Sequence, residues 1–294
     1  RDALSLELLS ARLQAERTNG DARIFTLDTL AWELQVQGKY DEAEPLWREA
    51  VKVTREAYGS RHPNTLASIS NLGVLLKDKG DLAAAEPLCR EALEVQRETL
   101  GSRHPNTLFS ISNLGLLLKA KGDLAAAELL LREALEGRRG TLGNRHLDTL
   151  IVINNLASLL DANGNFAAAE PLLREALEGM RETLGSRHPH TLSTINNLGA
   201  LLAEKDDLAA AEPLYHEALE VQRETLGSRH PDTLLTISNL GLLLANKGDQ
   251  NAAEPLLREA VERRSENLGM GHPSTLASIN DLGALLQKLG TVAI

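Results

Sequence analysis

The sequence predicts an all-α chain, a right-handed α-solenoid of stacked antiparallel helix pairs, and three observations carry the prediction. One pattern returns every 42 residues along the chain. Within each period the apolar residues follow helical spacing. The apolar residues are chiefly Leu and Ala, with aromatics at only 3%, a composition suited to closely stacked helices rather than sheets built from β-branched and aromatic side chains.

The period is plainest at the histidines. His62 returns as His104, His146, His188, His230 and His272, each step 42 residues. Leu30, Leu72, Leu114, Leu156, Leu198, Leu240 and Leu282 share a second phase. Ala43, Ala85, Ala127, Ala169, Ala211 and Ala253 share a third, and Ala50, Ala92, Ala134, Ala176, Ala218 and Ala260 a fourth. Units fall at about 21–62, 63–104, 105–146, 147–188, 189–230 and 231–272, with 273–294 a final half repeat and 1–18 an isolated leading helix. The whole of 1–294 thus reads as one solenoid domain. A single unit cannot bury its apolar face, so neighbours must stack.

One unit shows the local logic. Asn64, matched by Asn106, Asp148, His190, Asp232 and Ser274, stands where a side chain would cap a first helix, A. Leu66, Ile69, Leu72, Leu75 and Leu76 form its apolar stripe. Gly80 stops helix A and Asp81 caps a second helix, B. Leu82, Ala85, Leu88, Cys89, Ala92 and Leu93 form the buried stripe of B, which ends at Gly101-Ser102. Pro87 and its equivalents Pro45, Pro171, Pro213 and Pro255 sit awkwardly inside B, because proline removes a helical hydrogen bond. Either B starts later than Asp81 implies, or it bends in its first two turns. Asp206 stands where other units have glycine, and Leu147 replaces the proline after His146.

Leu72-Gly73, Gly80, Ala85, Cys89 and Ala92, with Leu30-Ala31, Gly38, Tyr40, Ala43, Trp47 and Ala50 in the first unit, resemble the tetratricopeptide repeat. That repeat commonly has 34 residues; these units carry eight more, around Thr99 to Pro105. A 42-residue unit with Leu-Gly-x-x-His-Pro and Asn-Leu-Gly is similar to the repeat of kinesin light chains and their relatives, over essentially the whole chain. The resemblance implies a non-catalytic scaffold that binds an extended peptide or partner segment in a concave groove lined by A helices. In the second unit it places Ala67, Ser70, Asn71, Val74, Lys77 and Asp78 on that groove.

The most informative groove position is Asn71, repeated as Asn113, Asn155, Asn197 and Asn239, with Thr29 and Asp281 at the ends. Asn is a middling helix former, so five of them mid-helix call for a reason. A ladder of carboxamides can donate to and accept from a peptide backbone whatever its side chains. Alternatively, each Asn bonds a neighbouring helix. Phe25, Trp32 and Phe109 offer apolar anchors, Lys77 and Lys119 positive charge, and Asp161 and Glu204 negative charge. Trp32 and Phe25 could equally be covered by the leading helix. The kinesin light chain groove is more uniformly basic, and only the Asn71–Lys119 region is like it.

The net charge of −10 gives no basic footprint for nucleic acid and no attraction to anionic membranes. No apolar run approaches the roughly 20 residues of a membrane span. The single cysteine, Cys89, excludes an internal disulfide and fits a reducing, cytoplasmic setting. It shares a phase with Trp47, Leu131, Leu173, Tyr215 and Leu257, which makes it core rather than a nucleophile. The histidines recur at helix-packing distances, about 8–10 Å, too far apart for one zinc ion, and are expected to tie each link to the next helix. No phosphate loop and no nucleophile–base grouping stands out, so no cofactor and no enzyme activity are expected. The partner is a protein or peptide. The open ends allow self-association, and a self-assembling structural module or a regulatory arm of a larger protein are the alternatives. Because the chain opens with Arg1, a targeting segment can lie outside it.

Overall fold

The computed structural model describes residues 20–290; the leading helix expected at 1–18 lies outside them. Among the described residues there are thirteen α-helices and no strand. In chain order they are α1 (Gly20–Val36), α2 (Tyr40–Tyr58), α3 (Pro63–Lys79), α4 (Leu82–Leu100), α5 (Pro105–Ala120), α6 (Leu124–Leu142) and α7 (Leu147–Ala162). They continue with α8 (Phe166–Leu184), α9 (Pro189–Glu204), α10 (Leu208–Thr225), α11 (Pro231–Lys247), α12 (Gln250–Leu268) and α13 (Pro273–Lys288). Odd-numbered helices are A helices and even-numbered ones are B helices. The chain forms two compact units that meet in sequence within α7, one ending at Asn155 and the other starting at Leu156.

From α1 to α6 in the first unit and from α8 to α13 in the second each helix packs on the next, and successive A helices touch, α3 on α5 in the first unit and α9 on α11 in the second. The cause lies in the ends. Helix α3 opens on Pro63, whose missing N–H needs no partner there. Its cap is His62 rather than the expected Asn64: the Asn64 amide donates to His62 Nδ1 at 3.2 Å. The same bond recurs at His104, His188 and His230. At the other end, Gly80 takes a left-handed φ of 91°, its amide donates to Lys77 O at 3.0 Å and that of Asp81 to Leu76 O at 2.8 Å. The Asp81 carboxylate then accepts from Ala84 N at 3.1 Å and starts α4. Thus the B helix begins where Asp81 implies and runs unbroken through Pro87, leaving one carbonyl in its first turn without a helical donor.

The core is the A–B seam. Leu66, Ile69, Leu75, Ala85 and Ala92 are fully buried, each large apolar side chain contributing about 1.5–3 kcal/mol. The glycine of each Leu-Gly pair lets the two helices close. At Gly199 an added Cβ would lie 2.9 Å from Tyr215 Cε1, well inside van der Waals contact, and Tyr215 is itself buried. Ion pairs join repeat to repeat on the outer side. Arg55 meets Glu91 and Arg97 meets Glu133 in the first unit, while Arg181 meets Glu217 and Arg223 meets Glu259 in the second, each at 2.6 Å. They are too exposed to be worth more than about 1 kcal/mol each. They set register more than stability.

Candidate functional site

With one side of each A helix committed to its B helix, the opposite side is left facing outward. On α1 that side carries Phe25 and Trp32, two turns apart, at 63% and 57% exposure. Helix α5 repeats the arrangement with Phe109, 45% exposed, and half-buried Leu116. In the second unit α11 does so with Leu235 and Leu242, at 48% and 36%. Between the two members of each pair stands the Asn phase, occupied by Thr29, Asn113 and Asn239 respectively. Of the other A helices, α3 carries Ala67 and Val74 there, α7 Ile151 and Ser158, and α9 Ser193 and Ala200.

Asn71, Asn113, Asn155, Asn197 and Asn239 are all half-buried. The Nδ2 of Asn113 is turned inward, shielded from solvent and without an acceptor. An unpaired buried donor of this kind costs about 1–3 kcal/mol. Bonds that tie A helix to A helix join the residue just before this Asn to a residue of the next A helix. Ser70 and Ser110 share a 3.2 Å hydroxyl contact in the first unit. In the second, the Thr236 hydroxyl lies 3.0 Å from Asn196 Oδ1 and 2.6 Å from Gln222 Oε1. Ser70, expected on the groove, is thus buried structure. Its polarity is spent on the neighbouring helix.

The charges also differ from expectation. Lys77 is paired with Asp78 at 2.9 Å, and Asp78 accepts from Gln35 Nε2 at 2.9 Å, so Lys77 is not a free cation waiting for an acidic guest. Lys119 is half-buried. Sequence reasoning missed Asp28, which occupies the Ser70 phase. Its Oδ1 is shielded and unpartnered, and burial pushes its carboxyl up to about 6. It borders a hollow of about 380 Å³ lined by Asp21, Ile24, Phe25, Tyr58, Asn64 and Ala67, at the head of the α1–α3 face. The only sequence signal for it was an acid in a phase otherwise filled by Ser or Asn.

Hollows also lie between successive B helices, one of about 440 Å³ over Leu72 and Leu88 and one of about 540 Å³ over Leu198 and Leu214. Arginines on their walls are already engaged, Arg55 with Glu91 and Arg181 with Glu217. Among the described residues no three His, Cys, Asp or Glu gather as metal ligands, and no helix is long and apolar enough to cross a membrane. Each histidine Nδ1 that caps an A helix is occupied by a backbone amide.

Helix pairs of this length, closed by a Leu-Gly on A against two spaced alanines on B and stacked side by side, define a helical-repeat interaction scaffold. The tetratricopeptide repeat model matches residues 26–88, 66–140, 130–182, 148–214 and 190–266, and the chain belongs to the tetratricopeptide repeat family. No curated protein matches it by sequence. Among solved structures it is similar to the nearly identical TPR-like repeats of a kinesin light chain candidate from Podosopora anserina, at 28% identity and TM-score 0.57 over 69% of this chain and 96% of that one. BtubC from P. vanneervenii shares the fold at 24% identity and TM-score 0.59, covering 87% of this chain and 94% of that chain. The tetratricopeptide sensor protein PH0952 from Pyrococcus horikoshii shares it at 15% identity and TM-score 0.62, covering 99% and 45%.

Proposed function

We propose that the chain is a non-catalytic cytoplasmic adaptor whose A-helix faces hold an extended segment of a partner protein. The observation that carries this reading is the repeated outward pair of apolar side chains around the Asn phase, Phe25 and Trp32 on α1, Phe109 and Leu116 on α5, Leu235 and Leu242 on α11. Large aromatic and aliphatic side chains left in water at regular positions of an otherwise well-buried repeat are the usual anchors of protein contacts. The half-buried carboxamides between them supply backbone-directed hydrogen bonds. Asn113 would have to turn its amide outward, recovering a bond it lacks.

In the first unit, where α1 and α5 carry large residues and α3 between them small ones, the face favours a guest with bulky side chains spaced to meet every second repeat. With Lys77 neutralised by Asp78 and Asp28 unpaired, the first unit favours an apolar guest bearing a basic residue over an acidic one. The test is selection of peptides from a random 12-residue library, followed by titration against variants. Phe109→Ala and the Asn113→Ala plus Asn155→Ala pair should each weaken a selected peptide at least about tenfold, while Arg97→Ala on the B side leaves it unchanged. Equal affinity for A-face variants and the parent would refute the reading.

A further inference from the structure

Arginines in the links reach the B helix of the following unit and tie it down. Arg61 meets Glu98 at 2.8 Å, Arg187 meets Glu224 at 2.7 Å and Arg229 meets Glu266 at 2.8 Å. Between α4 and α6 this rung is broken. Arg103 holds the arginine phase, but the glutamate phase is filled by Gly140. The guanidinium nevertheless keeps its place: Arg103 Nη1 lies 3.8 Å from where a Cβ at Gly140 would stand. Among the described residues no ion pair or hydrogen bond engages it. Glu136, one turn back on α6 and exposed, is not bonded to it, and both Arg103 and Gly140 are open to solvent.

Packing does not explain this glycine. Gly137, one turn earlier, must be small because Leu108 presses on it, but an added Cβ at Gly140 would meet only the tip of Arg103 within 4 Å. Glycine inside a helix costs about 1 kcal/mol against a good helix former, and here it also removes a tie. The surroundings change in the same direction. The stretch 137–146 reads Gly-Arg-Arg-Gly-Thr-Leu-Gly-Asn-Arg-His and holds no acid, whereas its counterparts keep Glu56, Glu98, Glu182, Glu224 and Glu266. Arg138 is buried against Asp148 at 2.6 Å, while Arg139 and Arg145 are exposed. In a chain of net charge −10 this is a local basic edge.

We propose that the open rung at Arg103 and Gly140 is a docking point for an acidic side chain of a partner protein. The incoming carboxylate takes the part that Glu98, Glu224 and Glu266 play in the closed rungs. A guanidinium presents its donors as a planar fork that matches a carboxylate. Because Arg103 is already extended over α6, less side-chain freedom is lost on binding than for a loose arginine. The point lies where a link meets the end of a B helix, and so is distinct from the A-helix faces.

Two measurements test this. The first is the rate at which phenylglyoxal, an arginine reagent, modifies each link arginine, read by mass spectrometry. Arg103 should react at least about threefold faster than Arg61, Arg187 and Arg229, whose donors are engaged, and Gly140→Glu should bring it to their rate. The second is selection of peptides from a random library on the parent chain, with depletion on Gly140→Glu. The A-helix faces are the same in both proteins, so only peptides that need the open rung survive. Survivors should be rich in Asp and Glu, and should bind the parent at least about fivefold more tightly than they bind Arg103→Gln. Arg61→Gln and Phe109→Ala should leave that affinity unchanged. Both substituted positions are exposed, so the variants keep the fold, and Gly140→Glu should raise Tm. Equal labelling of Arg103 and Arg61, survivors without acidic enrichment, or no survivors overturns the proposal. So does a thymidine decamer that shields Arg103 from the reagent where the selected peptides do not, which would make the edge a nucleic-acid contact. Failure of peptide capture on the A-helix faces would leave each of these results unchanged.

Discussion

The same substitution at two equivalent positions should have opposite effects. Gly199 and Gly283 occupy one phase of the repeat, the glycine after the seam leucine. Replacing a mid-helix glycine by alanine gains about 1 kcal/mol of helix propensity wherever the methyl group has room. At Gly283 nothing lies within 4 Å of the new Cβ, so Gly283→Ala should stabilise the protein by up to about 1 kcal/mol. At Gly199 the methyl group would sit 2.9 Å from Cε1 and 3.0 Å from Cζ of Tyr215. That ring is buried and cannot swing away as a flexible chain end could. Overpacking a core site costs about 1–3 kcal/mol, which outweighs or cancels the propensity gain and leaves Gly199→Ala destabilising by up to about 2 kcal/mol. Urea denaturation of both variants reads the difference. If both substitutions stabilise equally, the tight A–B seam is wrong.

Asp206 holds a φ of 64° where its counterparts are glycine, so Asp206→Gly should raise stability by about 0.5–1 kcal/mol, measured as an upward shift in Tm. Asp28 has its carboxyl pushed up to about 6 by burial. The folded state therefore holds that proton more tightly than the unfolded one, and stability should fall as pH rises from about 4 to 6. Asp28→Asn should remove this component from the pH profile of Tm and be the more stable protein at pH 7; an unchanged profile would show that Asp28 is well solvated. Cys89 is buried, with its thiol pushed up to about 11, so it should react with a thiol reagent only as fast as the surrounding repeat opens. Immediate labelling of the native protein would place it outside the core.

Much of the fold was legible because the repeat multiplies each weak local signal. Ala85 and Ala92 at fixed phases, and Gly80 followed by Asp81, mark helix packing and helix ends in unit after unit. The helix A cap was misread at Asn64 because a histidine ring is not among the side chains usually sought as caps; only the geometry shows His62 Nδ1 accepting the amide. The character of Pro87 was open for a similar reason, since sequence gives the missing N–H but not whether the rest of the helix tolerates it. The site was read less completely. That Phe109 would face solvent followed from its phase, whereas Trp32 could equally have been covered. That Ser70 would face Ser110, and Lys77 meet an Asp78 also held by Gln35, depends on contacts about 40 residues apart, which no local pattern encodes. Arg55–Glu91 and its counterparts are invisible in sequence on the same ground. Even so, their shared spacing becomes evident once one member is seen.

The proposed function turns on which face takes a guest chain. Hydrogen–deuterium exchange with and without a selected peptide measures this directly. Added protection should fall on α1, α3 and α5, centred on Phe25, Asn71 and Phe109, or on α11 around Asn239. Protection confined to the B helices, around Arg97 or Arg181, would contradict it.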